Sequence, residues 1–255
     1  MTFNQTLNQL LELNLKTMHE TYRQVLDDPT LAAQSFDDIF AHIVNQEHEQ
    51  RMSSRIRRHI KEATFKEQAL LHEVTYGPER NLDRSFIERL ATHRWIKNHE
   101  NIIITGATGT GKSFLAQALG DHACRQGFFV KYYRLPDLVN ELIFGRKVGK
   151  YQIIRKNLAR KDVLILDDWG MATLDVIAGH EIAELIEDRL KKKSTIVVSQ
   201  FPIETWDKIF EDKTTADAVM DRLIHIAYPI KLKGASLRKE TASDDLKAYR
   251  KTMLE

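Results

Sequence analysis

The stretch NIIITGATGTGKSFLAQALGDHA, Asn101 to Ala123, decides the fold. It opens on a β-branched run, Ile102 to Ile104, with the composition of a buried strand. It closes on Phe114, Leu115, Ala118, Leu119 and His122, which recur at helical spacing. Between them lies GATGTGKS, Gly106 to Ser113, a G-x-x-x-x-G-K-S loop in a strand–loop–helix setting. Gly106 and Gly111 let the backbone curl so that several N–H groups point inward, and Gly109 adds freedom. The N-terminus of the following helix contributes partial positive charge. Such a loop is built to hold a triphosphate. Lys112 is expected to reach the β- and γ-phosphates, and the Ser113 hydroxyl to ligate Mg²⁺. The expected cofactors are ATP and Mg²⁺. The expected nucleotide contacts are Gly106, Thr108, Gly109, Thr110, Gly111, Lys112, Ser113 and Phe114.

Further apolar runs extend the pattern: FFVKYY (128–133), VLIL (163–166), TIVVS (195–199) and IAYPI (226–230). Helical stretches alternate with the first four strands. This predicts an α/β fold, a three-layer domain with a parallel central sheet. VLILDD ends in Asp167 and Asp168, and acids at a strand's C-terminal edge face a phosphate loop. Asp167 is assigned to Mg²⁺, and Asp168 to orienting or deprotonating the attacking water. A helix N-cap before GMATLDV is the alternative use of these acids. TIVVSQ ends in Ser199 and Gln200, where a polar group is placed to sense the γ-phosphate; Ser199 is the candidate.

Residues 1–75 read as a helical domain. Leu7, Leu11, Leu15, Met18, Tyr22 and Val25 recur as one helix face, which Pro29 ends. Ser35, with Asp38 three residues on, is an N-cap signal, and Phe36, Ile39, Phe40 and Ile43 should then form a buried stripe. The segment VTYGPERNLDRS, Val74 to Ser85, carries a Gly-Pro turn and reads as a linker. The organisation expected is 1–75 helical domain, 76–99 linker and leading helix, 100–240 ATPase domain, and 241–255 tail.

Two basic tracts are candidates for DNA. In RMSSRIRRHIKEATFK (51–66), helical spacing puts Arg51, Arg55 and Arg58 on one face with Arg57 and Lys61 flanking. The second tract, 142–161, includes Arg146, Lys147 and Lys150 in GRKVGK, which reads as a loop between helices. Either tract is equally well a solvated basic face. Neither is interleaved with aromatics, which favours duplex over single-stranded DNA.

The bulk numbers bound these readings. The chain has 255 residues and a net charge of +2, too mild to identify a nucleic-acid partner by itself. Cys124 is its one cysteine, which excludes an internal disulfide. No run of eighteen apolar residues and no basic-then-apolar leader is present, so the expectation is a cytoplasmic protein without membrane contact. The histidines show no zinc spacing.

Together ENIIITGATGTGKSFLAQAL, LILDDWG, VVSQFP, ADAVMDRLIH and KLKGASLRK resemble the AAA+ ATPases of the DnaC-related branch, and within it the IstB-like helpers of insertion-sequence transposition. The resemblance implies an ATPase, slow and partner-regulated, that assembles as a homo-oligomer on duplex DNA and regulates a partner transposase. It maps an arginine that completes the neighbouring subunit's ATP site onto Arg222; the residues alone favour a surface ion pair with Asp217 or Asp221. It maps a second sensor onto Arg238. Asp167-Asp168 departs from the Asp-Glu common in the superfamily, and the shorter acid fits turnover below about 10 per second. A DnaC-like helicase loader is the nearest rival. A monomeric P-loop kinase and a non-hydrolysing DNA-binding module are the others.

Overall fold

The computed structural model describes residues 3–237. The tail expected at 241–255 lies outside the described residues. The chain divides into two compact units, 1–58 and 59–255.

The first unit is helical: α1 (Phe3–Glu12), α2 (Lys16–Asp27), α3 (Pro29–Ala32) and most of α4 (Phe36–Ala63). The stripe from Leu7 to Val25 is split between two helices, because Asn14 takes a left-handed φ of 57°. The turn is tied down by Arg51, whose Nη2 donates to the Asn14 carbonyl at 3.2 Å, and by the Met18 N–H, which donates to Glu47 at 3.0 Å. The Ser35 signal holds: its Oγ accepts from the Asp38 N–H at 3.2 Å. The buried stripe after it is corrected. Ile43 is buried, but Phe36 is 77% and Phe40 54% exposed. Their rings stack on each other at 6.0 Å instead of entering a core.

Residues 59–75, grouped above with the N-terminal helices, pack with the second unit: Ala63, Ala69 and Val74 lie in its core. So does Leu82 of the segment read as a linker. Helices α5 (Arg84–Leu90) and α6 (Arg94–Lys97) then lead into a five-stranded sheet. The strands are β1 (Asn101–Gly106), β2 (Val130–Arg134), β3 (Val163–Trp169), β4 (Ser194–Ser199) and β5 (Ala227–Leu232). All pairings are parallel, in the order β2-β3-β4-β1-β5. The order puts β1 between β4 and β5, with β3 beyond β4, so the loop after β1 and the acids ending β3 open on one edge.

Alternation along each strand feeds two cores. Ile102, Ile104, Ile165 and Val198 pack with Leu115 and Leu119 of α7 (Lys112–Arg125) and with Trp95. Ile103, Leu164, Leu166 and Val197 pack on the other face against four helices: α8 (Leu135–Lys147), α9 (Tyr151–Arg160), α10 (Val176–Arg189) and α11 (Lys213–Ile224). This is the three-layer arrangement expected. Helix α8 runs through Lys147, so the first half of GRKVGK is helix, and 148–150 separate it from α9. Helix α10 is capped by Asp175, whose carboxylate accepts from the Ala178 N–H at 2.8 Å, so capping does not explain Asp167 and Asp168.

Candidate nucleotide site

The phosphate loop is curled as its glycines require. Gly106 has φ 150°, and a Cβ there would lie 2.3 Å from the Leu232 carbonyl oxygen. Gly109 and Gly111 have φ 84° and 82°, left-handed values open to glycine. Lys112 begins α7 and its Nζ donates to the Ala107 carbonyl at 2.8 Å, folded back on the loop it serves. The Thr110 hydroxyl donates to the same carbonyl at 2.8 Å, closing the turn. A cavity of about 860 Å³ is lined by Thr108, Gly109, Gly111, Lys112, Ser113 and Phe114, together with Asp167 and Asp168.

Asp167 is buried, yet its carboxylate is held by two donors: the Tyr132 hydroxyl at 2.8 Å and the Asp168 N–H at 2.8 Å. Burial, then the Asp167 charge, push the Tyr132 phenol up, so it remains a donor. Each carboxylate oxygen keeps a lone pair for a cation or its water. Ser113 and Asp167 oxygens in one cavity, completed by phosphate oxygens, are the hard donor set Mg²⁺ takes. Asp168 has a left-handed φ of 57°, and Arg134 Nε donates to its Oδ2 at 2.6 Å.

Ser199, the sensor candidate, lines the same cavity. It is buried, its hydroxyl donates to the Trp169 carbonyl at 2.8 Å, and its oxygen accepts from the Phe201 N–H at 3.0 Å. The neighbouring Gln200 also lines it, and its Oε1 accepts from the Thr108 hydroxyl at 2.6 Å. Arg222 is far from its own loop. Asn101, at the start of β1, donates to the Leu223 carbonyl at 3.1 Å. The loop follows the other end of that strand, about 16 Å away at ~3.3 Å per residue. The Arg222 guanidinium pairs with Glu187 and donates to the Ala218 carbonyl at 2.7 Å; neither Asp217 nor Asp221 holds it. Arg238 lies outside the described residues. The N–H of its neighbour Leu237 donates to the Gly109 carbonyl at 2.9 Å, so the described chain stops at the phosphate loop.

Sequence reasoning missed Tyr132, Arg134 and Arg80. The two first were legible only as part of the strand FFVKYY and its end. Arg80 sat in the presumed linker, and its side chain lines the cavity.

The basic candidates divide by what they already bind. Arg146 pairs with buried Glu181 and stacks 4.2 Å over the Tyr151 ring. Arg51 pairs with Glu47, and Arg57 donates to Ser53 and Ser54. Arg55, Arg58, Lys61, Lys147 and Lys150 are exposed, with no ion pair among the described residues.

A phosphate loop, a strand-end acid pair and this strand order define an AAA+ P-loop domain behind a helical N-terminal region. The chain belongs to the IstB-like ATP binding protein family, whose model matches residues 8–245. It is 36% identical over 234 residues to the insertion sequence ATP-binding protein y4pL of Sinorhizobium fredii, covering 92% of this chain and 96% of that one. It is 38% identical over 201 residues to the ATP-binding protein of insertion sequence IS1162 from Pseudomonas fluorescens, covering 78% and 87%. Among solved structures, DnaI shares the fold at TM-score 0.56 and 21% identity, covering 69% of this chain and 94% of that one. No described helix is long and apolar enough to cross a membrane.

Proposed function

We propose that this chain is an ATP-controlled helper of transposition. It binds ATP and Mg²⁺, assembles on target duplex DNA and regulates a partner transposase. The observation that carries the reading is the division of one site between two edges of the sheet. Lys112, Ser113 and Asp167 share one cavity, while Arg222 stands at the opposite edge, out of reach of its own loop. An arginine so placed does not reach its own γ-phosphate; released from Glu187, it would serve another copy's, and ATP would then join subunits. The names of the relatives, which place them in insertion sequences, support the transposase partner.

When bound, Mg²⁺ would neutralise phosphate charge, held by Ser113 and Asp167. Lys112 would leave the Ala107 carbonyl for the β- and γ-phosphates. Asp168 would take the proton of the attacking water, and Gln200 would face the γ-phosphate through Thr108. The Arg134 pair occupies Asp168, which fits slow turnover that a partner accelerates. The exposed, unpaired Arg55, Arg58, Lys61, Lys147 and Lys150 would contact DNA phosphates with little sequence preference. Residues 1–58 would serve DNA or partner binding, and the second unit, 59–255, ATP.

Binding of duplex and single-stranded DNA, with and without ATP–Mg²⁺, tests this reading. It expects ATP-dependent, salt-sensitive binding of duplex DNA. Binding confined to single strands would replace it with a helicase-loader role. Binding indifferent to ATP would leave only a DNA-binding module.

A further inference from the structure

We propose that Arg80 is a nucleotide-contacting residue, gripping the phosphates that ATP and ADP share. The assignment rests on the ATP reading above and adds to it a cation that no motif contains. Arg80 is only 6% exposed, on the short turn Pro78–Arg80. The turn is pinned from both sides. The Lys233 N–H donates to the Arg80 carbonyl at 3.0 Å, and Asn81, at φ 53°, donates from its side chain to the Lys231 carbonyl at 2.8 Å. So fixed, the guanidinium reaches the phosphate loop. Its Nη2 donates to the Thr110 carbonyl and lies 3.2 Å from where a Cβ on Gly111 would stand. That is the entrance to α7, whose first N–H groups cradle the α- and β-phosphates in a loop of this kind.

What the guanidinium lacks points to the ligand. No carboxylate pairs with it among the described residues, and its Nε is buried without a hydrogen-bond partner. A buried cation without a counter-charge is costly. The contrast is Arg189, which is equally buried but has every side-chain nitrogen donating, to the Leu158, Lys161 and Ser194 carbonyls and the Thr195 hydroxyl. Arg189 is a closed structural strut. Arg80 has spare donor capacity and lines the nucleotide cavity beside Lys112 and Ser113. A planar fork with free N–H groups matches phosphate oxygens. The α- and β-phosphates are common to both nucleotides, so Arg80 should strengthen ATP and ADP alike and not discriminate between them.

Calorimetric titration of the full chain with ATP–Mg²⁺ and with ADP–Mg²⁺ tests this, comparing wild type, Arg80→Gln and Lys112→Ala. Glutamine matches the apolar stem and removes the charge, ending in a neutral amide near the Nε position. The expected result is a loss of about tenfold for both nucleotides in Arg80→Gln, with an unchanged ATP-to-ADP ratio. The salt dependence of ADP affinity should also be shallower than in wild type, which a merely structural role would not produce. If the glutamine variant does not fold, Arg80→Lys should keep the wild-type salt dependence with a smaller loss. Wild-type affinity in Arg80→Gln alongside lost binding in Lys112→Ala would overturn the assignment alone. So would a loss with parallel salt dependences. No binding of either nucleotide by the wild type would overturn the ATP reading and this assignment with it.

Discussion

Arg134, the last residue of β2, donates its Nε to Asp168 Oδ2 at 2.6 Å, and the same Asp168 is held at a left-handed φ of 57°. The acid that would activate water is thus paired to a cation across two neighbouring strands. The ion pair raises Arg134 above its ordinary value, Asp168 being the first cause. Asp168→Asn should therefore leave ATP binding intact and lower turnover by about 100-fold or more. Arg134→Ala should free the acid and raise turnover in the absence of DNA several-fold. Steady-state ATP hydrolysis decides. A fall in Arg134→Ala as deep as in Asp168→Asn would show that Arg134 works with the acid instead of restraining it.

Tyr132 bears on the metal. Its hydroxyl orients the Asp167 carboxylate at 2.8 Å, the kind of outer contact whose loss weakens a metal site about 10-fold. Tyr132→Phe should raise the Mg²⁺ concentration needed for half-maximal turnover by about that factor. The lost hydrogen bond should cost about 1 kcal/mol of stability. A Mg²⁺ titration at saturating ATP is the check, and an unshifted midpoint would count against Asp167 as the metal-side acid.

Gln200 and Ser199 should separate cleanly. Gln200→Ala removes the partner of Thr108 and should reduce ATP turnover while ADP affinity holds. Ser199→Ala removes the bonds to the Trp169 carbonyl and the Phe201 N–H and should lower stability by about 1–2 kcal/mol. Paired thermal melts and turnover assays distinguish them; the reverse pattern would make Ser199 the sensor.

His93 and His122 predict an acid-sensitive fold. Their rings stack at 4.9 Å, with His122 Nδ1 and His93 Nε2 3.0 Å apart. Burial first, then the His122 charge, push His93 down to about 4. The unfolded chain binds this proton near pH 6.5, whereas the folded chain resists it until about pH 4. The contribution of this residue is therefore complete above pH 6.5 and lost as pH falls towards 4, on the order of 2 kcal/mol. His93→Asn suits the left-handed φ of 59° at that position and should flatten the decline. Melts at several pH values read it directly, and parallel curves for the two proteins would remove His93 as the cause.

Much of this was legible because its signals are local. Ile102 to Ile104 and VLIL are short β-branched or aliphatic runs of the kind buried strands use, and the glycines of GATGTGKS are required where φ is positive. What was not legible depends on direction and distance. Ser199 and Gln200 are adjacent and both line the cavity, but only the second bonds to the loop, while the Ser199 hydroxyl turns to the Trp169 carbonyl. Arg80 reached the site from a turn whose glycine and proline suggested a connection, because nothing in VTYGPERNLDRS reports the Lys233 and Lys231 contacts that pin it. Phe36 and Phe40 carry the period of a buried stripe, yet period alone does not supply a partner surface.

The central claim is that ATP joins copies of this chain through Arg222. Sedimentation of wild type and Arg222→Ala with duplex DNA, each with and without ATP–Mg²⁺, tests it most directly. The account predicts a large ATP-dependent assembly for the wild type, absent in Arg222→Ala although that variant still binds ATP. A wild type that stays monomeric with ATP and DNA, or an Arg222→Ala variant that assembles as the wild type does, would contradict it.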